Sequence, residues 1–408
     1  MAENDIRKKP LSIYLHFPFC VKKCSYCDFL SFSADGSVRE DYIAKLIEEI
    51  ACRSGGFRGR PVRTVFIGGG TPSLMSKDQL SRLMGAVYRY YEVEDQAEIS
   101  MECNPGTVCC AGMRPCEPAR LSFADIRDCG INRLSIGLQS MDDGELRLLG
   151  RIHSSQQFLE SYDAARGAGF TNINVDLMSG LPGQSLGSWM NTLERVCALS
   201  PEHISAYSLI IEEGTPFYKL YGCGEEAGRA DCPALPDEDT ERGMYHLARH
   251  FLRDNGYTHY EISNFSKPGC ECRHNLTYWY RGDYLGMGLG AASLTDGCRS
   301  ADTADLDIYM KTKAAPGAFL EKPLCAELSR LSRQEQMEET MFLGLRCRSG
   351  VGIRHFERVF GESIYSVYGA VIENYVRTGM IRDDGKRISL TAGGIDVSNW
   401  ILSDFLIG

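Results

Sequence analysis

With 408 residues, 43% of them hydrophobic and 24% charged, the chain is long enough for one large core and a smaller companion. A formal net charge of −10 argues against a general nucleic-acid or anionic-membrane binder, whose surface would be basic. No stretch reaches about 18 consecutive apolar residues, and the opening MAENDIRKKPLSIYLHF has no apolar signal core. Neither an integral membrane segment nor a secretory leader is expected, and the expected compartment is the cytoplasm.

In chain order, strand-like runs fall at 12–17, 63–68, 97–102, 132–137, 172–178 and 203–209. Helical patterns separate them at about 38–53, 76–91, 119–129, 153–168 and 185–199, and another follows at 237–255. Such alternation predicts right-handed βαβ crossovers and a parallel sheet. The expected fold class is α/β, as an incomplete parallel (β/α)6 barrel over residues 1–300; periodicity alone leaves a flat doubly wound sheet open. Past 300 the alternation stops. Amphipathic helices at 333–346 and 368–380, then a turn, a short strand and a last helix, predict a small helical, winged-helix-like domain over 301–408.

The unusual residues cluster at the carboxyl ends of the predicted strands, where a parallel α/β barrel assembles its site. Cys20, Cys24 and Cys27 follow the first strand, GGGTPS (68–73) the second and ECNP (102–105) the third. GLQS (137–140) ends the fourth, and Asp176 lies in the fifth. Of the 17 cysteines most sit singly in apolar patterns and read as small buried hydrophobes. C-x₃-C-x₂-C differs: it matches neither the usual zinc spacings nor the four-cysteine ferredoxin ones. Three thiolates suit a [4Fe–4S] cluster with one open iron, whose remaining ligand comes from outside the chain. Asp176, inside the apolar run NVDLM, is hard to explain as structure, because a buried unpaired carboxylate is costly.

This C-x₃-C-x₂-C after a first strand resembles the signature of radical S-adenosylmethionine (SAM) enzymes. YLHFPFCVKKCSYCDF, FIGGGTPSLM, ECNPGTV, RLSIGLQS, LGRIHS, VDLMSGLPGQ and CRHNLTYWYRGDYLGMGLGAAS together resemble one branch of that superfamily, over nearly the whole chain. The branch contains oxygen-independent coproporphyrinogen III oxidase and the HemW-type haem chaperones. The resemblance implies a [4Fe–4S] cluster on Cys20, Cys24 and Cys27, with the amino and carboxylate groups of SAM on the open iron. It implies further SAM contacts: Tyr14 and Tyr26 beside the cluster, and Gly69, Gly70 and Thr71 against the amino end. Glu102 and Gln139 would meet polar groups, Arg151 the carboxylate and Asp176 the ribose.

Two departures separate the chain from the oxidase pattern. Phe29 stands where the oxidase has a further cysteine, and only nineteen residues precede Cys20. Both favour the chaperone, which implies haem as a cofactor and client haemoproteins as partners; clients can be membrane-bound, and the chain a monomer or homodimer. His274, in HNLTYW, is the expected haem ligand, with Tyr278 and Trp279 offering aromatic faces. The alternatives are the oxidase itself, decarboxylating propionates to vinyls, and a haem-degrading radical SAM methyltransferase. Cys109, Cys110 and Cys116 mark an insertion, and 221–239 is expected as a lid.

Overall fold

The computed structural model describes residues 9–109, 120–222, 232–313, 315, 318–321 and 323–407. Cys110 and Cys116 of the insertion and residues 223–231 of the expected lid lie outside them.

The six expected strands are present as β1 (Leu11–Phe17), β2 (Pro61–Gly69), β3 (Glu92–Cys103), β4 (Arg133–Gln139), β5 (Ile173–Ser179) and β6 (His203–Ser208). They pair in sequence order and in parallel. Their crossover helices begin where the sequence caps them: Ser76 with Gln79, and Ser154 with Gln157, close reciprocal capping boxes. Ile13, Leu15 and Phe17 face the helices and are buried, as are Val65, Ile67, Ile136, Val175 and Ile204 of the neighbouring strands. Burying such side chains stabilises by roughly 1.5–3 kcal/mol each.

Two features exceed the expectation. β9 (Tyr284–Met287) joins the other edge of β1 as a seventh parallel strand. The glycine within it packs closely: a Cβ on Gly286 would meet the Ala292 carbonyl oxygen at 2.1 Å. The sheet also continues antiparallel at both ends. β7 (Thr258–Glu261) and β8 (Asn264–Ser266) extend it beyond β6, and β10 (Ala292–Thr295), β11 (Cys298–Asp302) and β12 (Cys325–Arg330) beyond β9. In this sheet β6 pairs with β8 rather than with β1 or β9, so strand pairing leaves the barrel open.

The boundary expected at 300/301 cuts through β11, whose partner β12 runs to Arg330. The cause is a change of topology: antiparallel strands replace βα units while still extending the first sheet. A second core, from Met337 to Phe405, holds helices Arg333–Gly344, Ile353–Phe360 and Ile364–Arg377 over a small sheet. That sheet orders β13 (Val351–Gly352), β15 (Arg387–Leu390) and β14 (Ile381–Asp383). This is the helix-plus-wing arrangement expected. No helix among the described residues is long and apolar enough to cross a membrane.

Candidate functional site

Side chains alternate along a strand, so β1 turns Ser12, Tyr14 and His16 inward when Ile13, Leu15 and Phe17 turn out. Register carries this around the sheet. Tyr14 stands beside Phe66, Gly137 beside Asp176, and Asp176 beside Ser205. The interior is therefore polar, unlike the branched apolar filling usual in closed eight-stranded barrels. It is also incompletely filled towards the mouth. Every residue of β1 is buried except Tyr14, and every residue of β5 except Asp176.

The cysteine loop leaves β1 at the mouth and is pinned on both sides. The Cys20 amide donates to the Phe32 carbonyl and the Phe32 amide to Pro18. The Ser25 amide bonds Leu149, and Phe217 bonds back to Ser25. Cys20, Cys24 and Cys27 are free thiols and half-buried. Burial raises the Cys27 thiol above its ordinary range. Among the described residues no three His, Cys, Asp or Glu side chains converge as a single-ion site. A cubane places its three thiolates on three different irons, so it needs wider spacing than one ion does.

A chain of donors links two of the cysteines. The Thr71 hydroxyl lies 3.5 Å from Cys20 Sγ, and Asn104 Nδ2 donates to Thr71 Oγ1 at 2.9 Å. Arg151 Nη2 donates to Asn104 Oδ1 at 2.7 Å and to the Gly137 carbonyl, and its Nη1 lies 3.7 Å from Cys24 Sγ. Arg151 has no carboxylate partner among the described residues: a guanidinium is held beside a thiol at the mouth, facing a space short of anions. Tyr26 packs over Leu149 and Leu181, its hydroxyl pushed up first by burial.

Two carboxyls of the neighbouring strands, Glu102 on β3 and Asp176 on β5, make no ion pair among the described residues, though the Arg133 cation acts on Asp176. Glu102 Oε2 accepts the Gly69 amide at 3.0 Å, and its pKa is raised to about 7 by burial and by Asp176. Asp176 accepts from Asn174 Nδ2 at 2.7 Å and Ser135 Oγ at 3.1 Å; burial raises it against these bonds. A Cβ on Gly69, at φ +114°, would strike the His16 ring at 2.5 Å, and one on Gly70 the Phe19 backbone at 2.7 Å. The amides of Gly69, Gly70 and Thr71 are taken by Glu102, Phe17 and Phe19. What the two glycines have left for an ammonium is carbonyl oxygen. Gln139, at φ 74° on a register shift ending β4, accepts the Tyr207 hydroxyl at 2.9 Å.

An unpaired guanidinium, Arg151, and two unpaired carboxyls, Glu102 and Asp176, suit a ligand that carries both a carboxylate and cationic groups. The three thiolates and this polarity fit a cluster and SAM. Two participants were missed by sequence reading. Asn104 joins Thr71 to Arg151, and only its place in ECNP could have marked it. His16 Nε2 donates to the Leu30 carbonyl at 2.9 Å, so Nδ1 accepts from the Tyr14 hydroxyl at 3.0 Å. This histidine ties the returning cysteine loop to the interior; its signal was the two-residue step from Tyr14.

His274, the expected haem ligand, has both ring nitrogens hydrogen-bonded. It is 1% exposed, far inside, against Phe66 at 5.1 Å. Thr64 donates its hydroxyl to Ser12, so His274 Nδ1 donates to Thr64 at 2.8 Å. Nε2 is then the acceptor of the Tyr278 hydroxyl at 2.8 Å. The lone pair that would bind iron is occupied, and burial lowers the ring's pKa to about 3. In this arrangement His274 cannot offer iron a free imidazole.

The radical SAM superfamily profile matches residues 14–196, and the HemN C-terminal domain profile matches residues 331–397. The heme chaperone HemW of Lactococcus lactis subsp. lactis is 36% identical over 400 residues, covering 98% of both chains. That of Escherichia coli K12 is 41% identical over 287 residues, 70% of each. The mouse radical S-adenosyl methionine domain-containing protein 1, mitochondrial, is 33% identical, covering 97% of this chain and 87% of its own. Among solved structures, coproporphyrinogen III oxidase (HemN) from Escherichia coli, a radical SAM enzyme, superposes with a TM-score of 0.81 at 25% identity. The superposition covers 98% of this chain and 91% of the oxidase. The chain belongs to the HemW family of the radical SAM superfamily.

Proposed function

We propose that the protein is a haem chaperone that binds haem and transfers it to client haemoproteins, with a [4Fe–4S] cluster and SAM at the barrel mouth. The observation that carries this reading is end-to-end identity with a named heme chaperone, 36% over 98% of both chains. Phe29 supports it: 65% exposed on the cysteine loop, it supplies no thiol where the oxidase pattern has one.

In this reading Cys20, Cys24 and Cys27 would hold the cluster, and the Arg151 guanidinium would receive the SAM carboxylate. Glu102 faces the cationic end, and Asp176, held by Asn174 and Ser135, receives the ribose hydroxyls. Thr71 and Arg151 place donors against Cys20 and Cys24, which steadies negative charge on sulfur. When bound and reduced, the cluster supplies an electron that can cleave the SAM sulfonium.

The second reading, oxygen-independent coproporphyrinogen III oxidase, is favoured by the TM-score of 0.81 over 98% of the chain. Anaerobic incubation of the cluster-reconstituted protein with coproporphyrinogen III, SAM and a reductant separates the two. The chaperone reading expects unchanged porphyrinogen by mass spectrometry, together with saturable haem binding. Loss of two carboxyl groups from the porphyrinogen, with 5′-deoxyadenosine formed, would replace it with the oxidase.

A further inference from the structure

Helix Gly36–Arg53 begins just after the cysteine loop closes at Phe32, and its second turn carries Tyr42, which is fully buried. The Tyr42 hydroxyl donates to the His16 carbonyl at 2.8 Å and accepts the Leu289 amide at 2.9 Å. Its ring meets Phe19 edge-on at 5.2 Å, and Phe19 meets Phe32 at 5.3 Å, so it packs where the cysteine loop opens and closes. Leu289 lies in the glycine-rich turn between β9 and β10, which comes close because it lacks side chains. A Cβ on Gly288, at φ +105°, would lie 2.7 Å from the Tyr42 oxygen and 2.8 Å from the His16 carbonyl oxygen. One on Gly290, at φ +67°, would reach the Leu30 side chain at 2.5 Å. The same helix holds this turn from further along: Glu49 accepts the Gly288 amide at 2.9 Å, and Arg53 donates to the Gly286 carbonyl at 3.0 Å.

The base of the cysteine loop is thus held through one oxygen atom. Tyr42 fixes the His16 backbone against the glycine turn, and the His16 ring fixes the Leu30 carbonyl on the returning side of the loop. We propose that Tyr42 is a positioning residue for the cluster: its hydroxyl, clamped between the glycine turn and His16, fixes the base from which the loop presents Cys20, Cys24 and Cys27. This assignment rests on the cluster reading given above and deepens it. Without the hydroxyl, the Leu289 amide and the His16 carbonyl are left buried and unpaired, a cost that opening of the loop relieves. The spectrum of a bound cluster responds to the hydrogen bonds and solvent around its sulfurs. A base that opens more often therefore alters the signal while all three ligands remain. Tyr309 is the internal contrast. It is fully buried and packs on Tyr42 at 5.5 Å, but its hydroxyl donates to Glu49, at 2.7 Å, and not to the loop or its supports.

Two readouts on the full chain test it, with Tyr42→Phe and Tyr309→Phe compared and circular dichroism checking both folds. In the metal-free protein, hydrogen exchange read by mass spectrometry should be about tenfold faster over residues 17–33 in Tyr42→Phe, and within about twofold of wild type in Tyr309→Phe. Gly290→Ala, whose methyl would press on Leu30 from the glycine turn, perturbs the same support without altering Tyr42 and should speed exchange over the same residues. After anaerobic reconstitution, Tyr42→Phe should carry wild-type iron and sulfide but give an altered electron paramagnetic resonance signal when reduced, whereas Tyr309→Phe gives the wild-type signal. Three results each overturn the positioning role and leave the cluster reading standing: wild-type exchange over 17–33 in Tyr42→Phe and Gly290→Ala, equal acceleration in Tyr42→Phe and Tyr309→Phe, or a wild-type signal from Tyr42→Phe. Wild-type protein that assembles no cluster overturns both.

Discussion

The floor and the mouth of the barrel are both lined with polar side chains, and they differ in how those side chains are partnered. On the floor, the Thr64 hydroxyl donates to Ser12, with Thr277 next to it, and His274 sits between Thr64 and Tyr278 with both nitrogens used. Glu98 accepts the amides of Arg273 and His274 at 3.0 Å each, stitching that helix under the sheet. At the mouth, Arg151 rests on an amide, a carbonyl and a thiol, and Glu102 holds a single backbone amide. Polar residues with all their partners hold a fold together. Charged residues left without an ion-pair partner in partly exposed positions are arranged for a ligand that supplies one.

The largest expected effect on this contrast comes from the thiolates. Cys24→Ala removes one of three ligands from a loop pinned by backbone bonds elsewhere, so iron and sulfide content after anaerobic reconstitution should fall to near zero while circular dichroism is retained. Cluster assembly at the wild-type level would place the ligands elsewhere. Next, Arg151→Leu should weaken SAM binding by about tenfold or more and orphan Asn104 Oδ1 and the Gly137 carbonyl, at a cost of about 1–3 kcal/mol in stability. Equilibrium dialysis with labelled SAM measures the first effect and denaturant unfolding the second.

Glu102 gives a pH test whose sign is fixed. Its pKa in the fold, about 7, lies above its ordinary 4.5, so the folded state holds this proton more tightly than the unfolded state. The associated stability is complete below about pH 4.5 and is lost as pH rises to about 7, a change of about 1–3 kcal/mol. A cationic ligand reverses the balance, so SAM should bind more tightly at pH 8 than at pH 5. Glu102→Gln should flatten both profiles, and unchanged profiles would remove Glu102 from the ligand's surroundings.

The smallest effect is expected on the floor. His274→Phe leaves the Thr64 and Tyr278 hydroxyls with a lost partner each, and should lower stability by about 1–3 kcal/mol with cluster content unchanged. Loss of the cluster in that variant would break the division between floor and mouth.

The six-strand order was legible because each crossover carries its own punctuation, such as Ser76 with Gln79 before a helical run. The site was legible where a residue type conflicts with its surroundings: three cysteines in one loop, or Asp176 in an apolar strand. β9 and β12 were not, because they belong to the sheet through long-range pairing rather than through a βα repeat. His274 shows the other limit. Its sequence neighbourhood suggests a ligand, but its role is decided by Thr64, 210 residues away in the chain, which no local pattern reports. The Tyr42–Leu289 contact is equally non-local, joining residues 247 apart in the chain.

The most direct measurement is electron paramagnetic resonance of the reduced, reconstituted protein before and after SAM is added. A mouth built for a cluster with one open iron, and for a ligand reaching from Arg151 to Glu102, predicts a [4Fe–4S] signal that changes shape on SAM binding, and does not change in Arg151→Leu at the same SAM concentration. A wild-type signal indifferent to saturating SAM would contradict the account.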